Sequence, residues 1–194
     1  MIDLAKYAAL ALVMAGCLSL LITQLRTGVP AMSSSRKEAL QVVALLKAAG
    51  LAEDAVIYEL GSGWGAMASV LAESFPQARI RGFELSPLPY WISRLRLRHH
   101  PHIRLMRQDF FRADLTDADA VVSYLMIRPM PKLGLLLDRD LKPGTPVVSL
   151  AFWFRDRQPE AVGRAGTAAL YRWPARVDTS RLEETARVEE TGRA

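Results

Sequence analysis

Residues 56–65 restrict the possible folds of this 194-residue chain more than any other stretch. An apolar run over residues 56–60 contains one acid, Glu59, and three glycines follow at alternate positions: Gly61, Gly63 and Gly65. A strand that runs into such a loop, with a helix after it, brings bare backbone close to a ligand, because a Cβ would block both the tight turn and the close approach. The pattern therefore predicts a ligand-binding loop in an α/β fold.

The glycine loop is compatible with two kinds of ligand. An acid two residues before the first glycine suits a ligand with a cationic end, such as the ammonium group of S-adenosylmethionine. The spacing from Gly61 through Gly63 to Ala66 also satisfies the G-x-G-x-x-G/A pattern of nicotinamide-binding domains. The loop by itself leaves both open.

Polar and aromatic residues stand at the ends of the next two predicted strands. The second strand, residues 79–84, ends in Glu84, whose carboxylate can accept hydrogen bonds from a ribose. The third strand, residues 103–108, runs into Asp109 and Phe110, a pair that can accept from an exocyclic amine and pack on the face of adenine. Together these strand ends favour an adenosyl ligand more specifically than the loop alone.

The fourth predicted strand, residues 119–125, brings Tyr124 to the edge where ligands bind in open α/β sheets. Tyr124 is therefore a candidate to line the ligand site, and core packing is the alternative for this ring. A fifth strand is expected over residues 146–153 and a sixth over 168–173. Strands that alternate with helices at this length predict a Rossmann-like, doubly wound, mostly parallel sheet.

At this point the chain resembles the class I S-adenosylmethionine-dependent methyltransferases. It is similar in particular to the small lysine methyltransferase group that includes archaeal protein lysine methyltransferases. The same group contains the membrane-anchored enzymes that modify the mitochondrial ATP synthase c subunit and the adenine nucleotide translocase. The matching stretches are residues 59–65, 82–87, 108–110 and 141–149, with Pro159.

The resemblance implies S-adenosylmethionine as cofactor and a lysine side chain as methyl acceptor. It adds Ser62 and Leu85 to the cofactor-binding residues, and Tyr124 is the candidate catalytic residue. The predicted cofactor-binding set is Glu59, Gly61, Ser62, Gly63, Gly65, Glu84, Leu85, Asp109 and Phe110. No metal is expected, because the histidines at 99, 100 and 102 lack an accompanying acid or thiolate cluster. Trp64 and Ser86 depart from the residues usual in the family.

The amino-terminal segment has the length and composition of a membrane anchor. Residues 7–25 are nineteen uncharged residues, which as a helix would reach about 28 Å, close to the thickness of a hydrocarbon core. A buried helix and a cleaved signal peptide are the alternatives. The positive charges of Arg26, Arg36 and Lys37 predict a single-pass protein whose catalytic domain faces the cytoplasm.

These observations divide the chain into an anchor helix (1–27), a methyltransferase domain (28–175) and a polar, disordered tail (176–194). The first hypothesis is a membrane-tethered lysine methyltransferase that acts on a membrane-embedded or membrane-associated protein. It contacts the bilayer through residues 7–25, and no nucleic acid partner is expected. The alternatives are a nicotinamide-dependent Rossmann oxidoreductase and a non-catalytic binding module with the methyltransferase fold.

Overall fold

A computed structural model describes residues 2–27 and 33–174 of the chain. The helices within these residues are α1 (Ile2–Thr27), α2 (Arg36–Ala48), α3 (Ala66–Ser74), α4 (Pro87–Arg96) and α5 (Met130–Asp140), with a 3₁₀ turn at Phe110–Arg112. The strands are β1 (Val56–Leu60), β2 (Arg79–Phe83), β3 (Ile103–Met106), β4 (Ala120–Ser123), β5 (Thr145–Leu150), β6 (Ala161–Val162) and β7 (Ala168–Trp173). The predicted tail, 176–194, lies outside the described residues.

The strands form one sheet in the order β3-β2-β1-β4-β5-β7-β6. The five strands β1 to β5 are parallel, and β7 runs antiparallel to both β5 and β6. The order reverses between β1 and β4, so the crevice between these two strands is the switch point at which such sheets bind ligands. The Rossmann-like, mostly parallel sheet expected from the sequence is confirmed.

Both faces of the sheet are covered, because side chains alternate along each strand. Ile57 faces one core, which α2 and α3 complete, and Tyr58 faces a second core beneath α5. A capping box opens α2, since the Ser35 side chain accepts from the Glu38 amide while the Glu38 carboxylate accepts from the Ser35 amide. This reciprocal pair satisfies two amides that a helix start leaves free.

The end of β5 differs from the sequence prediction. The strand stops at Leu150 rather than at Trp153, because Ala151 adopts a left-handed φ of 65° and the Phe152 amide bonds back to the Leu150 carbonyl. Phe152 and Trp153 therefore lie in the turn after the strand. The predicted sixth strand is β7, and the two-residue β6 before it was not predicted.

The amino-terminal helix α1 lies outside the core. Its segment Leu4–Leu25 has a mean hydropathy of 2.1 and none of it is buried, so it is not a core helix. Length and composition fit a membrane span, and a signal sequence shares both properties. The helix touches the domain on one side, where Gly16 packs against Leu88 of α4. Three further half-buried residues continue this side at helical spacing: Ser19, Leu20 and Thr23.

Candidate functional site

The predicted site residues follow the ends of four neighbouring parallel strands. Leu60 of β1 is in register with Phe83 of β2 and with Ser123 of β4. The next residue along each strand is therefore Gly61, Glu84 or Tyr124, and these three stand in one row. We call this end of the sheet the carboxyl edge. Asp109 and Phe110 follow β3 at the same edge.

The glycine loop turns sharply around the end of β2. The amides of Gly61 and Ser62 both donate to the Phe83 carbonyl, at 3.0 and 2.8 Å. Gly65 has a φ of 78°, and a Cβ there would lie 2.9 Å from the Cβ of Ser93 on α4. Only glycine combines this backbone conformation with such close helix packing.

Gly82, on β2, lies beside the glycine loop and was not among the predicted site residues. A Cβ on Gly82 would overlap the Ser62 hydroxyl and lie 2.6 Å from Leu105 Cδ2. The missing side chain thus makes the room in which Ser62 packs on β2. The sequence offers one signal for this role: a glycine inside a predicted strand often marks a site where another segment of the chain comes close to the strand backbone.

Glu59 is a buried acid in the middle of the sheet. The residue is only 4% exposed, and within the described residues its Oε2 atom has no hydrogen-bond partner. Burial raises the pKa of the Glu59 carboxyl to about 8, and the negative charge of Glu84 raises it further. The two carboxylates therefore face the same region. Hydrogen bonds from Ser62 and from the Ala68 backbone lower this pKa in part but leave Oε2 unsatisfied. A buried carboxylate oxygen without a partner is costly, so a cationic ligand would satisfy it.

Glu84 joins the glycine loop to the start of α4. Its Oε2 accepts from the Gly63 amide at 2.8 Å and its Oε1 accepts from the Ser86 amide at 2.7 Å. A carboxylate offers about four acceptor positions, so each oxygen keeps one for a ligand hydroxyl. The two backbone contacts hold the side chain in place and were not predicted from the sequence, and the contact with a ribose stays a prediction.

The remaining predicted cofactor residues surround the same edge. Asp109 accepts from the Phe111 amide at 3.0 Å and so caps the 3₁₀ turn, which fixes its carboxylate beside the end of β3. The Phe110 ring is half-buried against the core beneath α5, and Leu85 is partly exposed after β2. The fold thus brings every predicted cofactor-binding residue to the carboxyl edge.

Tyr124 lies at the carboxyl edge beside the first turn of α2. Its ring is half-buried and packs against the core that α2 and α3 complete. Burial raises the pKa of the Tyr124 hydroxyl, and the negative charge of Glu38 adds to this effect. Tyr124 is therefore a neutral phenol at neutral pH, able to donate or accept a hydrogen bond. Glu38 also caps α2 through its contact with the Ser35 amide.

These residues fit S-adenosylmethionine. The unpartnered Glu59 oxygen suits its ammonium group, Glu84 suits the ribose hydroxyls, and Asp109 with Phe110 suits adenine. The loop packs too closely for side chains at two of its glycines, since a Cβ on Gly61 would lie 3.0 Å from Leu125 and one on Gly65 would lie 2.9 Å from Ser93. Among the described residues, no group of three His, Cys, Asp or Glu side chains could hold a metal ion.

In sequence, the chain is similar to methyltransferases. Residues 59–161 match the ANTKMT methyltransferase domain. A protein-lysine N-methyltransferase from Saccharolobus islandicus is 26% identical over 121 residues, which cover 61% of this chain and 75% of that protein.

Solved structures agree with the family match. An RNA methyltransferase from Salinibacter ruber in complex with S-adenosyl-L-homocysteine is 29% identical, with a TM-score of 0.63 over 73% of this chain and 92% of that one. An S-adenosylmethionine-bound amino pentose methyltransferase from Micromonospora echinaspora is also 29% identical, with a TM-score of 0.50 over 65% of this chain and 54% of that one. These matches favour methyl transfer over nicotinamide chemistry.

Proposed function

We propose that this chain, which belongs to the ANTKMT methyltransferase domain family, methylates a lysine side chain of a membrane-associated protein. Its cofactor is S-adenosylmethionine, and its activity is that of a methyltransferase. The choice of lysine is supported by the similarity to the protein-lysine N-methyltransferase of Saccharolobus islandicus. The observation that carries the proposed site is the buried Glu59 carboxylate beneath the switch point, whose Oε2 atom has no hydrogen-bond partner among the described residues.

In this proposal the carboxyl edge orients the cofactor through side chains on three strands. When bound, S-adenosylmethionine supplies an electrophilic methyl group on a sulfonium centre. Glu59 holds the cationic end, Glu84 the ribose, and Asp109 with Phe110 the adenine. The glycine loop, including Ser62, and Leu85 complete the surface. Because methyl transfer needs alignment above all, rigid strand ends suit the task.

The acceptor lysine would enter beside Tyr124. A lysine amine with a pKa near 10.4 is less than ~1% neutral at pH 7, and partial burial lowers that pKa. The half-buried Tyr124 ring supplies an apolar wall, and its neutral hydroxyl can accept a hydrogen bond from the amine. The nearby Glu38 carboxylate favours the approach of a cationic side chain. Tyr124 therefore positions the acceptor rather than acting as a base.

We place the substrate at a membrane because α1 has the length and hydropathy of a membrane span. In the proposed topology the chain crosses the bilayer once and residues 28–175 face the cytoplasm. Tethering raises the local concentration of a membrane-bound substrate. The membrane location and the lysine specificity are separate parts of the proposal.

Labelling tests the acceptor directly. The full chain is incubated with methyl-labelled S-adenosylmethionine and membranes, and the label is expected in protein, recovered as methyl-lysine after hydrolysis. Nuclease treatment is the matched control, since the relative from Salinibacter ruber is an RNA methyltransferase. Label that disappears with nuclease would make RNA the acceptor. Cofactor binding without any labelled product would favour the non-catalytic alternative.

A further inference from the structure

Helix α4 carries an exposed apolar stripe that the proposed reaction does not use. Trp91 is 57% exposed, Ile92 38% and Leu95 62%. They lie three, four and seven residues after Leu88, so all four side chains share one face of the helix. Single exposed apolar side chains are ordinary, but a contiguous stripe marks a contact surface.

The stripe begins where α1 touches the domain. In the structure Gly16 packs on Leu88. If residues 7–25 span a membrane, Gly16 is about 14 Å along the helix axis from residue 25, the end of the span, and so lies near the bilayer midplane. A domain in water cannot keep a contact at that depth, so α1 must leave Leu88 when it spans a membrane. Insertion of α1 thus uncovers the first residue of the stripe.

A basic groove runs beside the stripe, between α4 and β3. It encloses about 510 Å³, and its lining contains Arg94, Arg98, Arg104 and His100 but no acid. Among the described residues, none of these arginines forms an ion pair with a carboxylate. The Arg94 guanidinium instead stacks over the Trp91 ring, 5.7 Å from its centroid. Positive charge therefore borders the apolar stripe directly.

We propose that this face of α4 docks on the surface of an anionic lipid bilayer. Tryptophan and leucine side chains enter the boundary between headgroups and acyl chains, and Arg94 and Arg98 bind headgroup phosphates. Charge complementarity and the proposed anchor, which would hold the domain beside a bilayer, favour a bilayer over a protein partner. The inference uses the proposed anchor to bring the domain to the membrane and does not depend on which acceptor is methylated.

Docking would also orient the site. Helix α4 starts at Pro87, three residues after Glu84, and its last residue, Arg96, donates to the Trp64 carbonyl in the glycine loop at 3.1 Å. A bilayer beneath α4 therefore lies beside the carboxyl edge. This geometry would present the acceptor position to side chains close to the headgroups.

A single fluorescent label tests the contact in the full chain. Cys17 is the one cysteine in the sequence, so Cys17→Ser provides a background for Leu95→Cys or for the control Leu135→Cys. Leu135, on α5 at the other face of the sheet, is 71% exposed. With vesicles of phosphatidylcholine and phosphatidylserine, a shallow lipid-borne quencher should act several-fold more strongly on the label at 95 than on the label at 135.

The arginines are tested in the same assay. Arg94→Gln with Arg98→Gln should lower the ratio of docked to undocked domain roughly 30-fold, which corresponds to about 1 kcal/mol per basic residue at an anionic surface. The matched control, Lys142→Gln with Arg164→Gln, removes equal charge beside β5 and β6, which lie far from β3 in the strand order, and should leave the quenching unchanged. Vesicles of phosphatidylcholine alone should give little quenching.

Several outcomes would overturn the inference. Equal quenching of the labels at 95 and 135 would refute docking. Absence of quenching at both positions, in a chain that still floats with the vesicles, would also refute docking. Both results would leave the proposed anchor intact. Quenching independent of lipid charge and of the two arginines would refute the headgroup contact. A response that requires added membrane proteins would assign the face to a protein partner. Failure to float with either lipid would refute both docking and the anchor, whatever the labelling assay shows.

Discussion

At the residue scale, the site depends on a few positions whose chemistry is set by their surroundings. Glu59 is an ordinary acid placed where water does not reach, and its pKa rises to about 8 for that reason. Gly82 is an ordinary strand residue whose missing side chain makes room for Ser62. Both can be changed by one substitution that preserves most of the remaining geometry.

Replacing Glu59 by glutamine tests its assignment to the ammonium group. In the unbound protein Glu59 is protonated below a pKa of about 8, so the affinity for S-adenosylmethionine should fall as the pH is lowered from 8. Glu59→Gln should bind about 10- to 100-fold more weakly at pH 8, the effect of losing a charged hydrogen bond, and show no such slope. Calorimetric titration across this pH range measures both effects.

The same variant has a second readout that requires no ligand. Since the folded pKa of Glu59 lies above its ordinary value of 4.5, this group lowers stability as the pH rises from 4.5 to 8. The stabilising effect of Glu59→Gln should therefore grow over that interval and then level off. Glu53→Gln, on the surface, should show neither behaviour, and a pH-independent effect at position 59 would argue against a buried carboxyl.

Gly82→Ala tests the close packing of the glycine loop. The new Cβ would overlap Ser62 and crowd Leu105, so unfolding should become easier by about 1–3 kcal/mol, and cofactor affinity should fall. In Gly134→Ala the nearest atom is 3.9 Å away on Phe154, and a helix interior favours alanine by about 0.5–1 kcal/mol. The urea midpoint of unfolding should fall for Gly82→Ala and rise for Gly134→Ala. Two shifts of the same sign would contradict the close packing around Gly82.

At the element scale, the sheet is built so that four parallel strands end together and the fifth, β5, ends one residue later, at Leu150. The left-handed residue Ala151 stops β5 and sends the chain into the turn that holds Phe152 and Trp153. The Ala151 amide donates to the Thr167 carbonyl, which fixes this turn to the segment before β7. Termination of β5 thus depends on one unfavourable backbone conformation.

Substituting glycine for Ala151 should relieve that conformation. An L-residue in the left-handed region is disfavoured by about 1–2 kcal/mol, so Ala151→Gly should stabilise the fold by about 1 kcal/mol once the flexibility of glycine is subtracted. Ala44→Gly, at an exposed position within α2, should instead cost about 1 kcal/mol. Thermal unfolding in parallel distinguishes them; a destabilised Ala151→Gly variant would mean that the turn is not strained.

At the scale of the whole molecule, a folded domain is joined to an apolar helix that contributes nothing to its core. Residues 4–15 of α1 are all exposed, and contact with α4 is confined to the side that contains Gly16. An apolar helix without a buried face needs another environment, and a bilayer provides one. The domain and the helix can therefore be changed independently.

A charge placed in the middle of α1 tests the anchor. Val13→Arg should disfavour insertion by about 2.5–3.5 kcal/mol, and the chain should become extractable from membranes by alkaline carbonate. Leu4→Arg, near the helix end, should remain resistant because its charge can reach the headgroups. Both variants should bind S-adenosylmethionine normally. A Val13→Arg chain that resists extraction would contradict a spanning helix.

The sequence by itself determined the features that depend on local chemistry. The acid at 59 and the glycines at 61, 63 and 65 lie within seven consecutive residues. Alternating strands and helices at this length admit few topologies. The carboxyl edge could be predicted because parallel strands must end on the same side. For the same reason every predicted cofactor-binding residue lies there.

Tertiary structure decided whatever depends on residues distant in the chain. The sequence does not show that Gly82 must accommodate Ser62, that Glu38 approaches Tyr124, or that β5 ends at Leu150. It shows apolar residues at 91 and 95 but not that they remain uncovered, because burial is decided by what packs against a helix rather than by its own spacing. The proposed membrane surface therefore emerged only once the fold had shown which faces it leaves exposed.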